Sequence, residues 1–416
     1  MSSTCRKRRG VLKREITRAL LVAVTLLYGT ALPVSGIEFA ASDLEGIWNV
    51  HVLTSGDSPQ WIGWMYGTQS IDAVGNVTFT SWTRSDGDMS LPAPAEMTVS
   101  SSGIVTADGI DFHGIMNSQK NRIVATMTDG RDGYNLIVSC KQDAATYSTS
   151  DLEGTWNYVG LISGDAHGQK PGWYWGAFTF DEDGDPTSAT PVIDSLGNSD
   201  WIPSGPTFDI SPAGIVTDAG GAIRGVMNSQ KDMIMAVGTL CPGRDTAVCG
   251  YNLLILTKES AAAFSLADLK GTWQMHMLTS GDFPQHTGWA YGTWIVDDSG
   301  SCTVTSMTRS NGDSTLPPGP VAMGVPSSGI VTMPDNDFHG IMNSDRDTIV
   351  ATMTDGGGGY DLIVYVNTDA EPGCPFKVLG DLNDDCKVDF VDFSLMADNW
   401  LVNCLDAPDD PACIPE

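Results

Sequence analysis

The chain has 416 residues, 51 of them Asp or Glu against 22 Lys or Arg, for a formal net charge of −29. A field of that sign repels nucleic acid and anionic membrane surfaces and makes cations the natural counter-ligands. At 41% hydrophobic residues the chain can bury several cores rather than one.

The first segment, residues 1–36, has a basic opening, an apolar run from Ala19 to Leu32, then Pro33 and small residues. This is the pattern of an export signal, with Val34 and Gly36 small enough for cleavage before Ile37. The apolar run is shorter than the roughly 20 residues a membrane span needs, so no membrane span is expected after cleavage. Arg8-Arg9 leaves the export route open between the general and the twin-arginine pathways. Without this segment the chain carries 15 basic and 50 acidic residues, net −35, and eight of its nine cysteines. An extracellular or cell-surface destination is oxidising, so disulfides are expected: a clip between Cys241 and Cys249, and an undetermined pairing among Cys374, Cys386, Cys404 and Cys413.

Next come three copies of one unit. "DLEGIWNVHVLTSGD" at 43–57 returns as "DLEGTWNYVGLISGD" at 151–165 and "DLKGTWQMHMLTSGD" at 268–282. Later landmarks recur in the same order, including "FHGIMNSQ", "IRGVMNSQ" and "FHGIMNSD". The equivalent glycines Gly46, Gly154 and Gly271 are 108 and 117 residues apart, a domain-sized period. The expected repeats are 41–147, 149–258 and 266–367.

Inside each copy the pattern is β. "NVTFTSWT" and "SCTVTSMT" alternate, "RIVATMTDG" followed by "GYNLIV" reads as a hairpin, and turn residues punctuate the chain every eight to twelve positions. The fold class expected is all-β: three tandem small antiparallel β-barrel or sandwich domains of seven or eight strands, followed by a short C-terminal calcium loop-helix module. A six-bladed propeller, two blades per copy, is the alternative. The Gly-x-Trp openings at Gly46–Trp48, Gly154–Trp156 and Gly271–Trp273 are similar to the first strand of lipocalin- and avidin-like barrels, where a tryptophan plugs one end.

Residues that recur in all copies are those the unit needs. Trp48, Trp156 and Trp273, and Trp64, Trp173 and Trp289, are expected in the core or as end plugs; a sugar-stacking platform would require exposed rings. Asp57, Asp165 and Asp282, and Asn117, Asn228 and Asn343, are expected as turn formers. Histidines do not recur: His51 and His276 face Val159 in copy two, and His113 and His339 face Arg224. That pattern reads as a tolerant strand site and a polar edge, with no triad base or metal cage. Cys302, aligned with Val77, reads as a small buried apolar side chain. No catalytic residues and no phosphate loop or dinucleotide fingerprint are found.

The sharpest chemistry stands at 378–404. In "DLNDDCKVDFVD", Asp381, Asn383, Asp385, Asp389 and Asp392 occupy positions 1, 3, 5, 9 and 12 of a twelve-residue loop, and Lys387 supplies the position-7 carbonyl. Oxygens so spaced surround a hard divalent cation, so Ca2+ is the expected cofactor. Phe390, Phe393, Met396, Ala397, Trp400 and Leu401 follow at helical spacing. "GDLNDDCKVDFVDFSLMADNWL" resembles one dockerin half-repeat, the calcium-dependent module that attaches secreted enzymes and scaffolds to cohesins. It departs from that family in having one half instead of two, Cys386 where the loop turn has Gly, and Phe390-Val391 in place of a small hydroxyl pair. The tail 405–416 lacks ligand spacing. The resemblance carries calcium binding over to these residues and leaves the attachment partner open between a cohesin-like module and the cell surface; the β domains are expected to bind a ligand, with polysaccharide the candidate, or to serve as spacers. The expected function is an exported non-catalytic protein attached or sorted through this module; the alternative is an extracellular polysaccharide-degrading enzyme.

Overall fold

The computed structural model describes residues 37–56, 62–129, 133–164, 170–199, 207–240, 250–281, 286–334, 337–355 and 357–369. Copy one contributes β1 (Gly46–Gly56), β2 (Gly63–Ile71), β3 (Asn76–Arg84), β4 (Ala95–Val99), β5 (Ile104–Ala107), β6 (Asp111–Met116), β7 (Arg122–Thr128) and β8 (Gly133–Gln142). These run as an antiparallel meander, and β1 pairs with β8 from Ile47↔Gln142 to Gly56↔Gly133, closing an eight-stranded barrel.

Copy two contributes β9 (Gly154–Ile162), β10 (Gly172–Phe180), β11 (Pro186–Ala189), β12 (Ile193–Asp194), β13 (Phe208–Ile210), β14 (Ile215–Asp218), β15 (Ile223–Met227), β16 (Met233–Leu240) and β17 (Gly250–Lys258). Copy three contributes β18 (Gly271–Gly281), β19 (Gly288–Val296), β20 (Ser301–Arg309), β21 (Val321–Ala322), β22 (Ile330–Thr332), β23 (His339–Met342), β24 (Thr348–Thr354) and β25 (Gly359–Asn367). Both follow the same circular order, with first and last strands paired. Each copy is therefore one barrel-type sheet, and the two-blade propeller alternative does not form.

The copies differ on either side of β4 and its counterparts. In copy one β3 and β4 pair through Asn76↔Glu96 and Val77↔Ala95. In copy three β20 pairs with β21, and a lone bridge, Gly324↔Thr332, carries the chain across to β22. In copy two the described residues cross the seam with the Phe208 N–H donating to the Gly184 carbonyl at 3.1 Å, and the Thr207 hydroxyl to Asp185 at 2.8 Å.

The barrels do not stand apart. Strands β7 and β8 of barrel one lie on β18 and β19 of barrel three, β16 and β17 of barrel two on β1 and β2, and β24 and β25 of barrel three on β9 and β10. This cyclic order makes a ring of three with a pseudo-threefold axis. Around the axis a shared apolar core takes one side chain from each copy in successive triples: Leu53, Leu161 and Leu278; Leu136, Leu253 and Leu362; Val138, Ile255 and Val364. Fully burying one such side chain stabilises by about 1.5–3 kcal/mol.

The ring explains why "LIV", "LLI" and "RIVATM" are continuous apolar runs. Inner-wall strands are buried on both faces: inward residues fill their own barrel and outward residues fill the central core. Outer-wall strands such as β3 and β5 alternate buried and exposed, because one face meets solvent.

Candidate functional site

The expected calcium ligands Asp381, Asn383, Asp385, Lys387, Asp389 and Asp392 lie outside the described residues, as do the signal segment, Asp57, Asp165, Asp282, and the cysteines expected to pair. Four sets of expected residues can be placed: end plugs, joints, axis and barrel interiors.

One end of each barrel is shut by a short turn, α1 (Ala41–Leu44) in copy one and 3-10 turns at Thr149–Leu152 and Leu266–Leu269 in the others. Trp48, Trp156 and Trp273 are the plugs expected, at most 1% exposed, and their indole N–H groups donate to the carbonyls of Leu44, Leu152 and Leu269 at 2.7–2.8 Å. Lys141 and Lys258 lay their ammonium groups 5.4 Å from the Trp48 and Trp156 rings, a cation–π contact. Gly46 holds φ +140°, and a Cβ there would stand 2.8 Å from the Lys141 stem, which accounts for glycine at that position.

Trp173 and Trp289 are buried as expected and Trp64 is half-buried, all three on the outward face of an inner-wall strand, against the neighbouring barrel. Each indole N–H donates to a threonine of another copy, Trp64 to Thr239 at 3.0 Å, Trp173 to Thr354 at 2.8 Å and Trp289 to Thr128 at 2.8 Å. The His/Arg position completes each joint and is not a free polar edge. His113 stacks on Tyr291 with ring centres 4.4 Å apart, His339 on Trp175 at 4.9 Å, and the Arg224 guanidinium covers Tyr66 at 4.9 Å. Two residues before each histidine an aspartate holds its ring, Asp111 at 2.9 Å and Asp337 at 3.1 Å; before Arg224 stands Ala222. The side chain and its aspartate are exchanged together for Arg and Ala, and planar π-stacking is the property retained.

His51 and His276, on β1 and β18, are buried in these joints. Burial, and secondarily the Arg224 charge, pushes His51 down to about 3; burial and then His113 does the same to His276. Both imidazoles stay neutral near pH 7, with His276 Nδ1 3.3 Å from the Thr126 hydroxyl.

At the axis the three Asn turns meet. Asn117 Oδ1 accepts from the backbone N–H groups of Asn121 and Arg122 at 3.1 and 2.9 Å, and Asn228 and Asn343 repeat the pattern, so the turn-former expectation holds. The turns also interlock. Asn117 Nδ2 donates to Asp347 and Gln119 Nε2 to Asp345, at 2.9 and 2.8 Å; Asn121 Nδ2 reaches Gln230 at 2.9 Å; the Ser344 hydroxyl donates to Asp232. Arg122, 1% exposed, lies 3.6 Å from Asp347 and donates to Thr348. Burial opposes its charge, but Asp347 and Asp232 hold the guanidinium firmly protonated.

The interiors are packed. In barrel two Tyr158 and Tyr174 face Gly176 and Gly160, where a Cβ would fall 2.4–2.6 Å from the rings, and burial pushes both phenols up beyond their ordinary range. In barrel three the space among Trp273, Trp294, Cys302 and Tyr365 is too narrow for water. Cys302 is 1% exposed and Val77 2%, as expected, and burial lifts its thiol to about 12, which removes nucleophilic character at neutral pH. Asp361, where copies one and two have Asn135 and Asn252, accepts from Thr279 at 2.6 Å; burial raises its carboxyl to about 7. Among the described residues no group of three His, Cys, Asp or Glu side chains is arranged to hold a metal. Nor is any described helix long and apolar enough to cross a membrane.

The joint threonines and the axial aspartates were not singled out from the sequence. Thr128, Thr239 and Thr354 recur in every copy, which is the signal that finds them.

No family model matches the chain, and no curated protein matches it. Among solved structures it is similar to a protein of unknown function of the DUF3598 family from Nostoc punctiforme, at 9% identity over 79% of this chain and 99% of that one, with a TM-score of 0.20. It is also similar to transferrin binding protein B from Neisseria meningitidis, at 9% identity over 73% of this chain and 63% of that one, TM-score 0.22. The Haemophilus parasuis transferrin binding protein B gives 9% identity, 77% and 75% coverage, and a TM-score of 0.23.

Proposed function

We propose that this chain is an exported, non-catalytic protein in which a ring of three barrels is displayed or attached at the cell surface through the C-terminal dockerin-like module, with Ca2+ held by Asp381, Asn383, Asp385, Asp389, Asp392 and the Lys387 carbonyl. The observation that supports the non-catalytic part is the use made of recurrent residues. The tryptophans, threonines and asparagines that recur are spent on plugging the barrels, joining them and interlocking the axial turns. Trp173 and Trp289, the rings a sugar platform would need, are 2% and 5% exposed. The attachment part rests on the ligand spacing of residues 381–392, whose carboxylates repel one another until a divalent ion enters.

Titration calorimetry of the mature chain with calcium, beside a version truncated before residue 378, tests this reading. The full chain is expected to take up one calcium at the module and the truncated one none. Binding to cell surface or to a cohesin-like partner is expected only with calcium and only in the full chain. Equal calcium uptake by both chains removes the module from the account. A glycan array on the truncated chain reads the barrels separately: a spacer gives no signal, and a polysaccharide hit assigns them a ligand of their own.

A further inference from the structure

The three axial turns share a backbone but not a charge. Positions 119, 230 and 345 carry Gln, Gln and Asp; positions 121, 232 and 347 carry Asn, Asp and Asp; positions 122, 233 and 348 carry Arg, Met and Thr. One guanidinium thus faces three carboxylates drawn from two barrels, and its Nε and Nη2 are buried without a partner. We propose that this cluster is a proton-operated clamp between barrel three and the other two: uptake of a proton by Asp345, beside Asp232 and Asp347, tightens the joint, and its release loosens it.

The contacts run across the ring. Asp345 of barrel three takes the Gln119 amide of barrel one, Asp232 of barrel two takes the Ser344 hydroxyl of barrel three, and Asp347 takes Asn117 and faces Arg122. Arg122 offsets one negative charge and leaves two. The other cations of these turns are engaged elsewhere: Lys120, Lys231 and Arg346 pair with Asp43, Asp151 and Asp268 at 2.9, 2.9 and 3.0 Å. Cys140, which Arg122 also feels, is held neutral by burial. Burial, then the Asp232 charge, raises Asp345 to about 6, against the hydrogen bond from Gln119. A carboxyl raised in the folded state binds its proton more tightly there than in the unfolded chain. Its contribution is therefore complete below the ordinary aspartate value and is lost as pH rises through about 6.

The test is unfolding of the mature chain and of Asp345→Gln from about pH 4.5 to about pH 8. The substitution installs the side chain that Gln119 and Gln230 already place in the equivalent turns. Asp361, His51 and His276 titrate identically in both proteins and cancel in the difference. The expected unfolding constant of the variant is lower than wild type by on the order of 10- to 100-fold at high pH, with the gap closing as pH falls. A gap that does not change with pH overturns the clamp. Should the variant not fold, hydrogen exchange on the wild type decides: opening at residues 343–348 is expected to slow at about pH 5 relative to about pH 8, after correction for intrinsic rates, while the outer-wall turn at 297–301 does not change. Equal behaviour of the two turns overturns it as well.

Discussion

The inner and outer walls of each barrel are built from different strands of one meander, and they carry different obligations. At the inner wall the copies match side chain for side chain: Leu53, Leu161 and Leu278 occupy one layer, and each Trp–Thr hydrogen bond is repeated around the ring. At the outer wall copy one keeps paired ladders on both sides of β4; in copy three the counterpart of the β4–β5 ladder shrinks to a bridge, and in copy two the described residues cross the counterpart of the β3–β4 ladder with one backbone hydrogen bond. A wall that meets only solvent can change length and pairing at the cost of a few local bonds. A wall that meets two other barrels cannot, since every residue there packs on both faces.

Truncation at the centre sharpens this contrast most. Leu278→Ala is expected to cost about 3–5 kcal/mol in chemical denaturation, because the cavity it leaves is shared by three sheets and cannot collapse, whereas Thr303→Ala on the exposed face of β20 should stay within about 0.5 kcal/mol. Comparable losses at both positions would mean that the barrels unfold independently.

Asp361 gives the next largest effect. Its carboxyl is raised to about 7 by burial, so ionisation above that value opposes folding and the penalty disappears as pH falls below it. Asp361→Asn, which restores the amide of copies one and two, should stabilise the protein by roughly 2–4 kcal/mol at pH 8 and by little at pH 4. Melting curves across that range check the sign; a variant less stable at high pH would show that the carboxylate has a partner worth more than its burial.

The smallest effect resolves a single joint. A double-mutant cycle between Trp289→Phe and Thr128→Val should return a coupling of about 0.5–1.5 kcal/mol. The same cycle between Trp289 and Thr239, which belong to different joints, should return none.

Much of this was readable beforehand. The copy number follows from the spaced "DLEG" openings, the plug from Gly-x-Trp, and the turns from "MNS", because each is determined within a few residues of chain. What escaped was whatever depends on a partner in another copy. Trp64 and Trp48 look alike as strand aromatics, but Trp48 finds its acceptor four residues away at Leu44 and Trp64 finds its own at Thr239. Periodicity could have separated them, since uninterrupted apolar strands announce a second buried face. His113 and Arg224 read as interchangeable polar positions until the neighbouring ring is seen beneath both. The proposed calcium loop is the reverse case: its ligand spacing is wholly local and is read from the sequence, while its residues lie outside those described.

A closed ring of three has no first or last member. Each barrel supports both of the others, so deleting one repeat would bare two apolar faces at once, and a fourth would find nowhere to dock. Copy number can then drift only in complete sets.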